Sequence, residues 1–290
     1  MKINILIPVY NDWKSVAKLM QNINSEISNL NVEFSIIIVN DGSTDIVPKI
    51  DIDLNYIKSL KILNLKKNMS HQRSIAIGLR HMYENEKFDY VIPMDGDGED
   101  RPEEIKEFIE KIKQHPNDVI VGERVKRSEG IIFKIGYAIH KLITYVFTGH
   151  NIKFGNFTCI PKSKVNELLN EKSTWNSYSG SLTKITKKMI TISSIRGTRY
   201  FDLSKMSYIN LVKHSLSIIS VFKSIAILRS IIFFIVYSAI ISTNISLVTL
   251  IPLILIIIFI YLVITLSKRE NLDDLNNSLS NISNIDVIKQ

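Results

Sequence analysis

Val91-Ile92-Pro93-Met94-Asp95-Gly96-Asp97-Gly98-Glu99-Asp100 is a short apolar run that ends in four acids spaced by glycines. The apolar half reads as a buried strand, and Asp95, Asp97 and Glu99 at alternate positions past its end crowd like charges into one small volume. Such crowding is costly unless a cation neutralises it. Oxygen-only donors suit a hard divalent ion, Mg2+ or Mn2+, which is typically held by one or two carboxylates together with substrate phosphates. The competing reading is a solvated acidic turn, because Asp and Gly also favour turns for backbone reasons. An EF-hand starting at Asp95 is excluded, since it would need Gly where Asp100 stands and Glu where Lys106 stands. The glycines follow no G-x-x-x-x-G-K-[ST] pattern, which disfavours a P-loop.

Outward from this stretch, residues 3–9, 34–39, 61–65 and 119–122 are further strand-like apolar runs. Helical stretches over about 13–27 and 70–84 lie between them, and Pro102-Glu103-Glu104 opens another. Asp12 is placed to cap the first of these helices. The alternation predicts an α/β layer with a mostly parallel sheet. Ligands of such sheets gather outside the carboxyl ends of the strands. Asn11-Asp12, Asp41-Gly42-Ser43 and Asp95-Gly96-Asp97 all sit at those ends, so three polar clusters share one rim.

The second half differs in kind. No charged residue occurs between Ser230 and Ser267, a stretch rich in Ile, Leu, Val and Phe. A hydrocarbon core takes ~20 helical residues, so this reads as two short membrane helices, over about 225–243 and 247–266, broken near Ser242-Thr243-Asn244. A buried soluble hairpin would need a larger protein to cover it. Lys205, Lys213, Lys223 and Arg229 precede the hairpin, and Lys268 and Arg269 follow it. No signal peptide opens the chain at Met1-Lys2. The positive-inside rule then predicts the N-terminal domain and both termini in the cytoplasm. Residues 130–149 and 205–224 are apolar with sparse basic residues, candidates for helices in the membrane interface, with a core helix as the alternative for the first. The Asn-, Ser- and Asp-rich tail, 268–290, is expected to be poorly ordered. The net charge of +8 fits attraction to anionic lipid and phosphate rather than to nucleic acid, for which no aromatic-interleaved basic groove exists. A single cysteine, Cys159, excludes an intramolecular disulfide.

Assembled, the chain resembles family 2 glycosyltransferases of the GT-A fold, and within them the polyprenyl-phosphate glycosyltransferases, the dolichol-phosphate mannose synthase group. The resemblance rests on 7–12 (Ile-Pro-Val-Tyr-Asn-Asp), 39–45 (Val-Asn-Asp-Gly-Ser-Thr-Asp), Asn68 through Gly78, Met94-Asp95-Gly96-Asp97 through Pro102-Glu103, 121–124 (Val-Gly-Glu-Arg), and Arg196-Gly197-Thr198-Arg199 through Ser204-Lys205-Met206. It implies a GT-A (Rossmann-like) nucleotide-sugar-binding domain over 1–204, an interfacial helix over 205–224, two transmembrane helices over 225–267 and a polar cytoplasmic tail over 268–290. The implied activity is inverting, metal-dependent transfer of a sugar from a nucleotide sugar to a polyprenyl phosphate on the cytoplasmic face of the membrane. The implied nucleotide-sugar site holds Pro8, Tyr10, Asp12, Asp41, Ser43 and Asp95. Asp95, Asp97 and Arg124 are the implied catalytic residues, and Asp95 and Asp97, with Glu99 as a third ligand, hold Mg2+ or Mn2+. Arg124, Arg199, Ser204 and Lys205 match positions that meet the acceptor phosphate.

Three departures stand out against the family pattern. Gly98 and Glu99 replace the usual Leu-Gln of the acidic loop, Asn156 stands where many relatives carry Asp, and Asp202 takes a position expected to be Gly. They motivate a catalytically decayed nucleotide-sugar-binding membrane protein as an alternative. A lipid-linked saccharide or glycan acceptor is another, although the Q-x-x-R-W segment of processive relatives is absent. Packing through the membrane helices would allow a homo-oligomer.

Overall fold

The computed structural model of the chain describes residues 1–47, 53–126, 131–201 and 208–290. Asp202, Ser204 and Lys205 lie outside the described residues. The elements run β1 (Lys2–Val9), α1 (Trp13–Glu26), β2 (Glu33–Asn40), β3 (Ile57–Leu65), α2 (His71–Asn85), β4 (Tyr90–Pro93), α3 (Ile105–Gln114), β5 (Val119–Lys126), α4 (Ile131–Thr148), β6 (Thr158–Pro161), α5 (Lys162–Leu169), α6 (Tyr178–Ile185), β7 (Met189–Ile195), α7 (Tyr208–Ser220), α8 (Lys223–Ile241), α9 (Leu247–Ser267), α10 (Leu272–Asn276) and β8 (Ile282–Lys289).

The strands form one sheet in the order β7-β5-β6-β4-β1-β2-β3-β8. β1 pairs in parallel with β2 and β4, and β2 with β3, as the alternation predicts. β6 inserts antiparallel between β4 and β5, and β7 runs parallel to β5. β1 is buried over seven of its eight residues, which explains its unbroken apolar sequence: a central parallel strand is covered on both faces. Ile5, Ile7, Ile36 and Ile38 face α1 and α3, whereas Leu6, Ile37 and Val39 face α2, α5 and α6. On α1, Trp13, Val16, Leu19, Met20 and Ile23 recur at helical spacing and are the buried stripe. On α2, Gly78 lets the helix approach the sheet; a Cβ there would sit 2.3 Å from Leu6 Cδ1 and 3.0 Å from Val39 Cγ2.

α8 and α9 match the expected membrane helices within two residues at each end, and most of their apolar residues are exposed. The turn between them ends in Ser246, whose hydroxyl accepts from Thr249 N–H while the Thr249 hydroxyl accepts from Ser246 N–H, a reciprocal cap. The tail is a correction to the expectation of disorder. Leu275 of α10 is fully buried, the Arg80 guanidinium of α2 donates to Asn276 Oδ1 at 2.8 Å, and β8 pairs antiparallel with β3. A polar ladder ties it in. Asn40 Nδ2 donates to Asn64 Oδ1 at 2.8 Å and Asn64 Nδ2 donates to Asp286 Oδ2 at 2.7 Å. Composition hides this strand because its order comes from the open edge of β3, which satisfies backbone groups that an isolated polar segment would leave to water.

This packing can be tested by two changes in stability. Gly78→Ala overpacks the α2–β1 contact and should lower stability by ~1–3 kcal/mol, read as a fall in thermal midpoint. Truncation before Ile282 bares the β3 edge and strands the Asn64 amide, so it should also lower the midpoint, whereas a disordered tail would leave it unchanged.

Candidate active site

The rim at the carboxyl ends of β1, β2 and β4 carries the acids. The β1 and β2 loops are stapled together first. Asn11, at φ 50, turns the chain out of β1, and its Oδ1 accepts from Thr44 N–H at 2.8 Å and Asp45 N–H at 3.2 Å. Ser43 Oγ accepts from Asn11 N–H at 3.0 Å, and Asn40 Oδ1 accepts from Ser43 N–H at 3.1 Å. Pro8 is buried beneath this staple and Tyr10 is exposed at its lip. Asp12 stands at the start of α1 but makes no side-chain cap there; its Oδ2 accepts from Arg199 Nη2 at 2.7 Å. A guanidinium offers this carboxylate more than a backbone N–H can, because both partners are charged.

Asp41 is turned inward. It is 3% exposed and accepts Met69 N–H at 2.6 Å, which fixes the chain entering α2. Burial raises its pKa, against the hydrogen bonds from Met69 and Ser74 that favour the anion.

The acidic loop is held from across the rim by the segment after β7. Gly197 N–H donates to Glu99 O at 2.8 Å and Tyr200 N–H donates to Asp97 O at 3.0 Å. Gly98 adopts φ +89, and a Cβ there would sit 2.5 Å from the Tyr200 ring, so the second glycine is needed for a left-handed turn beneath an aromatic ring. Arg199 bridges Asp12 and Asp97, while Arg196 pairs with Glu99. Arg199 thus lies on Asp12 and Asp97, and Glu99 is turned to Arg196 rather than toward Asp95.

Asp95 has its own partners. His71 Nε2 lies 3.2 Å from Asp95 Oδ1, and Asn156 Nδ2 lies 3.3 Å from the same oxygen and 2.7 Å from His71 Nε2. Gln72 supports Asn156 at 3.3 Å and accepts Tyr178 N–H at 2.7 Å. Burial pushes the Asp95 carboxyl up, but the His71 hydrogen bond and charge, with Arg124 and Arg196, hold it well below the usual carboxylate range. For Asp97, burial and then the Asp95 charge raise the pKa despite Arg199. Burial likewise raises Glu99. Asp100, whose Oδ2 accepts Asp95 N–H at 2.9 Å, is pushed up to about 8 by burial and by Asp95. Arg124 runs over Gly155, where a Cβ would fall 2.8 Å from its Nη2, and so reaches the Asn156 side of the same network.

His71 and Arg196 are functional candidates that motif reading did not single out. His71 opens a helix whose preceding Asn68 was legible, but only the fold brings it to Asp95. Among the described residues no three His, Cys, Asp or Glu side chains converge as a metal cage. Asp95 and Asp97 instead offer an oxygen-only pair, which fits a hard divalent ion that shares its coordination with a substrate diphosphate. A cavity of about 490 Å³ opens elsewhere, on the flank lined by His150, Ile152, Phe154, Lys184, Thr186 and Met189, and borders none of these carboxylates.

With this geometry in view, a family profile described as "Glycosyl transferase family 2" matches residues 4–168, more than half of the chain. The undecaprenyl-phosphate 4-deoxy-4-formamido-L-arabinose transferase of Photorhabdus laumondii is 25% identical over 222 residues, 73% of this chain and 65% of that protein. The chain spans less than two thirds of the length of the first curated relatives it matches. Among solved structures, S. aureus TarS 1-349 in complex with UDP-GlcNAc superposes with a TM-score of 0.54 at 16% identity, over 96% of this chain and 88% of that one. Glucosyl-3-phosphoglycerate synthase from Mycobacterium tuberculosis, in complex with Mn2+, UDP and glucosyl-3-phosphoglycerate, superposes with a TM-score of 0.53 at 12% identity, over 78% and 80% of the two chains. These likenesses establish the GT-A-like fold.

The arginine bridge yields a prediction. Arg199→Met leaves Asp12 and Asp97 without their shared cation, so the thermal midpoint without metal should fall. Added Mn2+ should then raise it further than in the wild type, because the ion meets no competing guanidinium.

Proposed function

The chain belongs to glycosyl transferase family 2, and from that premise we propose that it is a membrane-anchored enzyme transferring a sugar from a nucleotide sugar to the phosphate of a polyprenyl lipid. The observation that carries the reading is the convergence of Asp12, Asp95 and Asp97 on one strand-end rim, in a chain that continues into two exposed apolar helices. The Photorhabdus relative is named for an undecaprenyl-phosphate acceptor, which supports the acceptor class. Neighbours solved with UDP-GlcNAc, and with Mn2+ and UDP, support a nucleotide-sugar donor and a divalent ion.

The chain's own residues have separable roles in this reading. The stapled β1 and β2 loops, with Pro8, Tyr10, Asp12 and Ser43, receive the nucleotide, and buried Asp41 braces that wall through Met69. Asp95 and Asp97 would hold the divalent ion, which when bound neutralises charge on the departing nucleoside diphosphate. The His71–Asn156 pair orients Asp95, and Arg199 exchanges the carboxylates for donor phosphate as the site fills. The acceptor phosphate oxygen is anionic at neutral pH, so it attacks the anomeric carbon without a general base. Positioning and charge neutralisation then carry the catalysis. In-line attack inverts the anomeric configuration.

Topology has a structural argument as well. β8 follows α9 in the chain and pairs with β3 of the catalytic sheet, which favours a membrane hairpin that leaves and returns on one side. Lys223, Arg229, Lys268 and Arg269 flank the hairpin while residues 242–246 carry no charge, so that side is read as cytoplasmic.

The test supplies a panel of sugar nucleotides, Mn2+ and undecaprenyl phosphate to the full chain in nanodiscs and follows formation of a lipid-linked sugar. One donor should give product, and Asp97→Asn should reduce its rate by about 10²-fold or more. A variant as fast as the wild type would remove Asp97 from the metal role. Absence of lipid product with every donor would overturn the acceptor class.

A further inference from the structure

The last strand of the chain reaches the loop assigned above to the nucleotide. In β8, Asp286 Oδ1 accepts from Asn284 Nδ2 at 2.9 Å, which fixes the carboxylate, and Asp286 Oδ2 accepts from Asn64 Nδ2 of β3 at 2.7 Å. Asn64 Oδ1 accepts from Asn40 Nδ2, at the end of β2, at 2.8 Å, and Asn40 Oδ1 accepts from Ser43 N–H at 3.1 Å. One line of hydrogen bonds thus crosses three neighbouring strands, from β8 through β3 to the loop after β2. The sheet register brings its members together. Asn40 pairs with Asn64, and Asp286 pairs with Ile62, which shares a face of β3 with Asn64.

That line can run in one direction only. An ionised carboxylate accepts, a backbone N–H donates, and each asparagine between them has one donating and one accepting end. With Asp286 at one end and Ser43 N–H at the other, each Nδ2 is turned toward β8 and each Oδ1 toward the β2 loop. Removing the carboxylate frees the Asn64 amide to turn, and Asn40 then loses the partner that keeps its oxygen on Ser43. Asn40 is 7% exposed, so water is a poor substitute. Ser43 in turn carries the staple, because its Oγ accepts from Asn11 N–H and Asn11 holds Thr44 and Asp45. The loop is also seated closely on the end of β3: a Cβ at Gly42 would fall 2.5 Å from the Lys67 carbonyl carbon and 2.6 Å from Asn68 N.

We propose that Asp286 is a positioning residue for the nucleotide of the donor. Acting through Asn64 and Asn40, it sets the β2 loop against the β1 loop in the geometry that receives the nucleotide. The assignment rests on the nucleotide-sugar reading above. It gives the strand that follows the apolar hairpin a part in donor binding, beyond covering the edge of β3.

The experiment uses the full chain in detergent and titrates it calorimetrically with UDP and, separately, with GDP, each with Mn2+ and well below the thermal midpoint. Asp286→Leu should weaken the tighter of the two by about tenfold, the loss expected for one buried hydrogen bond. Asp286→Asn, which keeps an accepting oxygen for Asn64, should recover most of that loss. The rise in midpoint produced by Mn2+ alone should keep its wild-type size, because Asp95 and Asp97 stand on the β4 loop, outside the relay. Ile282→Ala loosens the same strand at a residue packed on the core, and should lower the midpoint without changing nucleotide affinity. Wild-type nucleotide affinity in Asp286→Leu overturns the assignment. So does an equal loss in Ile282→Ala, a loss in Asp286→Asn as deep as in Asp286→Leu, or a loss of the response to Mn2+ alone, because each marks a merely structural strand. Should Asp286→Leu fail to fold, Asn64→Asp, similar in size and without an N–H to donate, carries the same comparison. A wild type that binds neither UDP nor GDP overturns the nucleotide-sugar reading itself, and this role with it.

Discussion

Four carboxylates within six residues at the end of β4 set the terms for the rest of the structure. Asp95, Asp97, Glu99 and Asp100 cannot all be charged in one partly buried volume without compensation. Each is relieved differently. Asp95 is held anionic by His71 and Arg124, Asp97 takes Arg199, Glu99 takes Arg196, and Asp100 is pushed toward its neutral form while accepting the Asp95 amide. The cations come from distant parts of the chain. β7 lies three places from β4 in the sheet, and the segment after it returns across the rim to bring both arginines onto the loop. The charge problem and the path of the chain are therefore one arrangement, and a substrate that brings phosphates and a cation would rearrange it.

The apolar hairpin is joined to that arrangement at both ends. α8 and α9 interrupt the chain between the catalytic sheet and its last strand, so β8 returns to close the β3 edge. The Asn40–Asn64–Asp286 ladder then links the tail to the loop that holds Ser43. At the other end, Asn176, just before α6, donates to Ser220 Oγ of α7 at 3.0 Å and to Leu266 O of α9 at 3.3 Å. A hairpin bound this way has little freedom to tilt independently of the sheet.

Legibility in the sequence followed burial. β1, β2 and β4 are covered on both faces and read as unbroken apolar runs, so their ends and the acids beyond them were visible. β6 has four residues and no period to detect, and β8 is half polar, with no buried position and no alternation to mark it as a strand. Asp12 looked like a helix cap because of its position, yet a guanidinium 187 residues away in sequence outcompetes the local N–H groups. Arg199 was legible as a phosphate-seeking residue, but its present partners were not, since a sequence does not give the direction in which a loop returns. His71 carries no local signal at all; an imidazole on a helix looks the same whether it faces core or solvent or a carboxylate from another strand.

The sequence by itself determined the α/β alternation, the shared rim of Asp12, Asp41 and Asp95, the D-x-D pair and the two apolar helices. Each of these is written in short-range pattern: the period of burial, the abrupt end of an apolar run, or the length of an uncharged stretch. Only the tertiary structure decided that Asp41 braces the fold from inside, that Arg199 and Arg196 neutralise the acidic loop, that the tail is a strand, and that His71 of α2 meets Asp95. Those are contacts between residues far apart in the chain, fixed by sheet order and helix packing. Local sequence constrains neither.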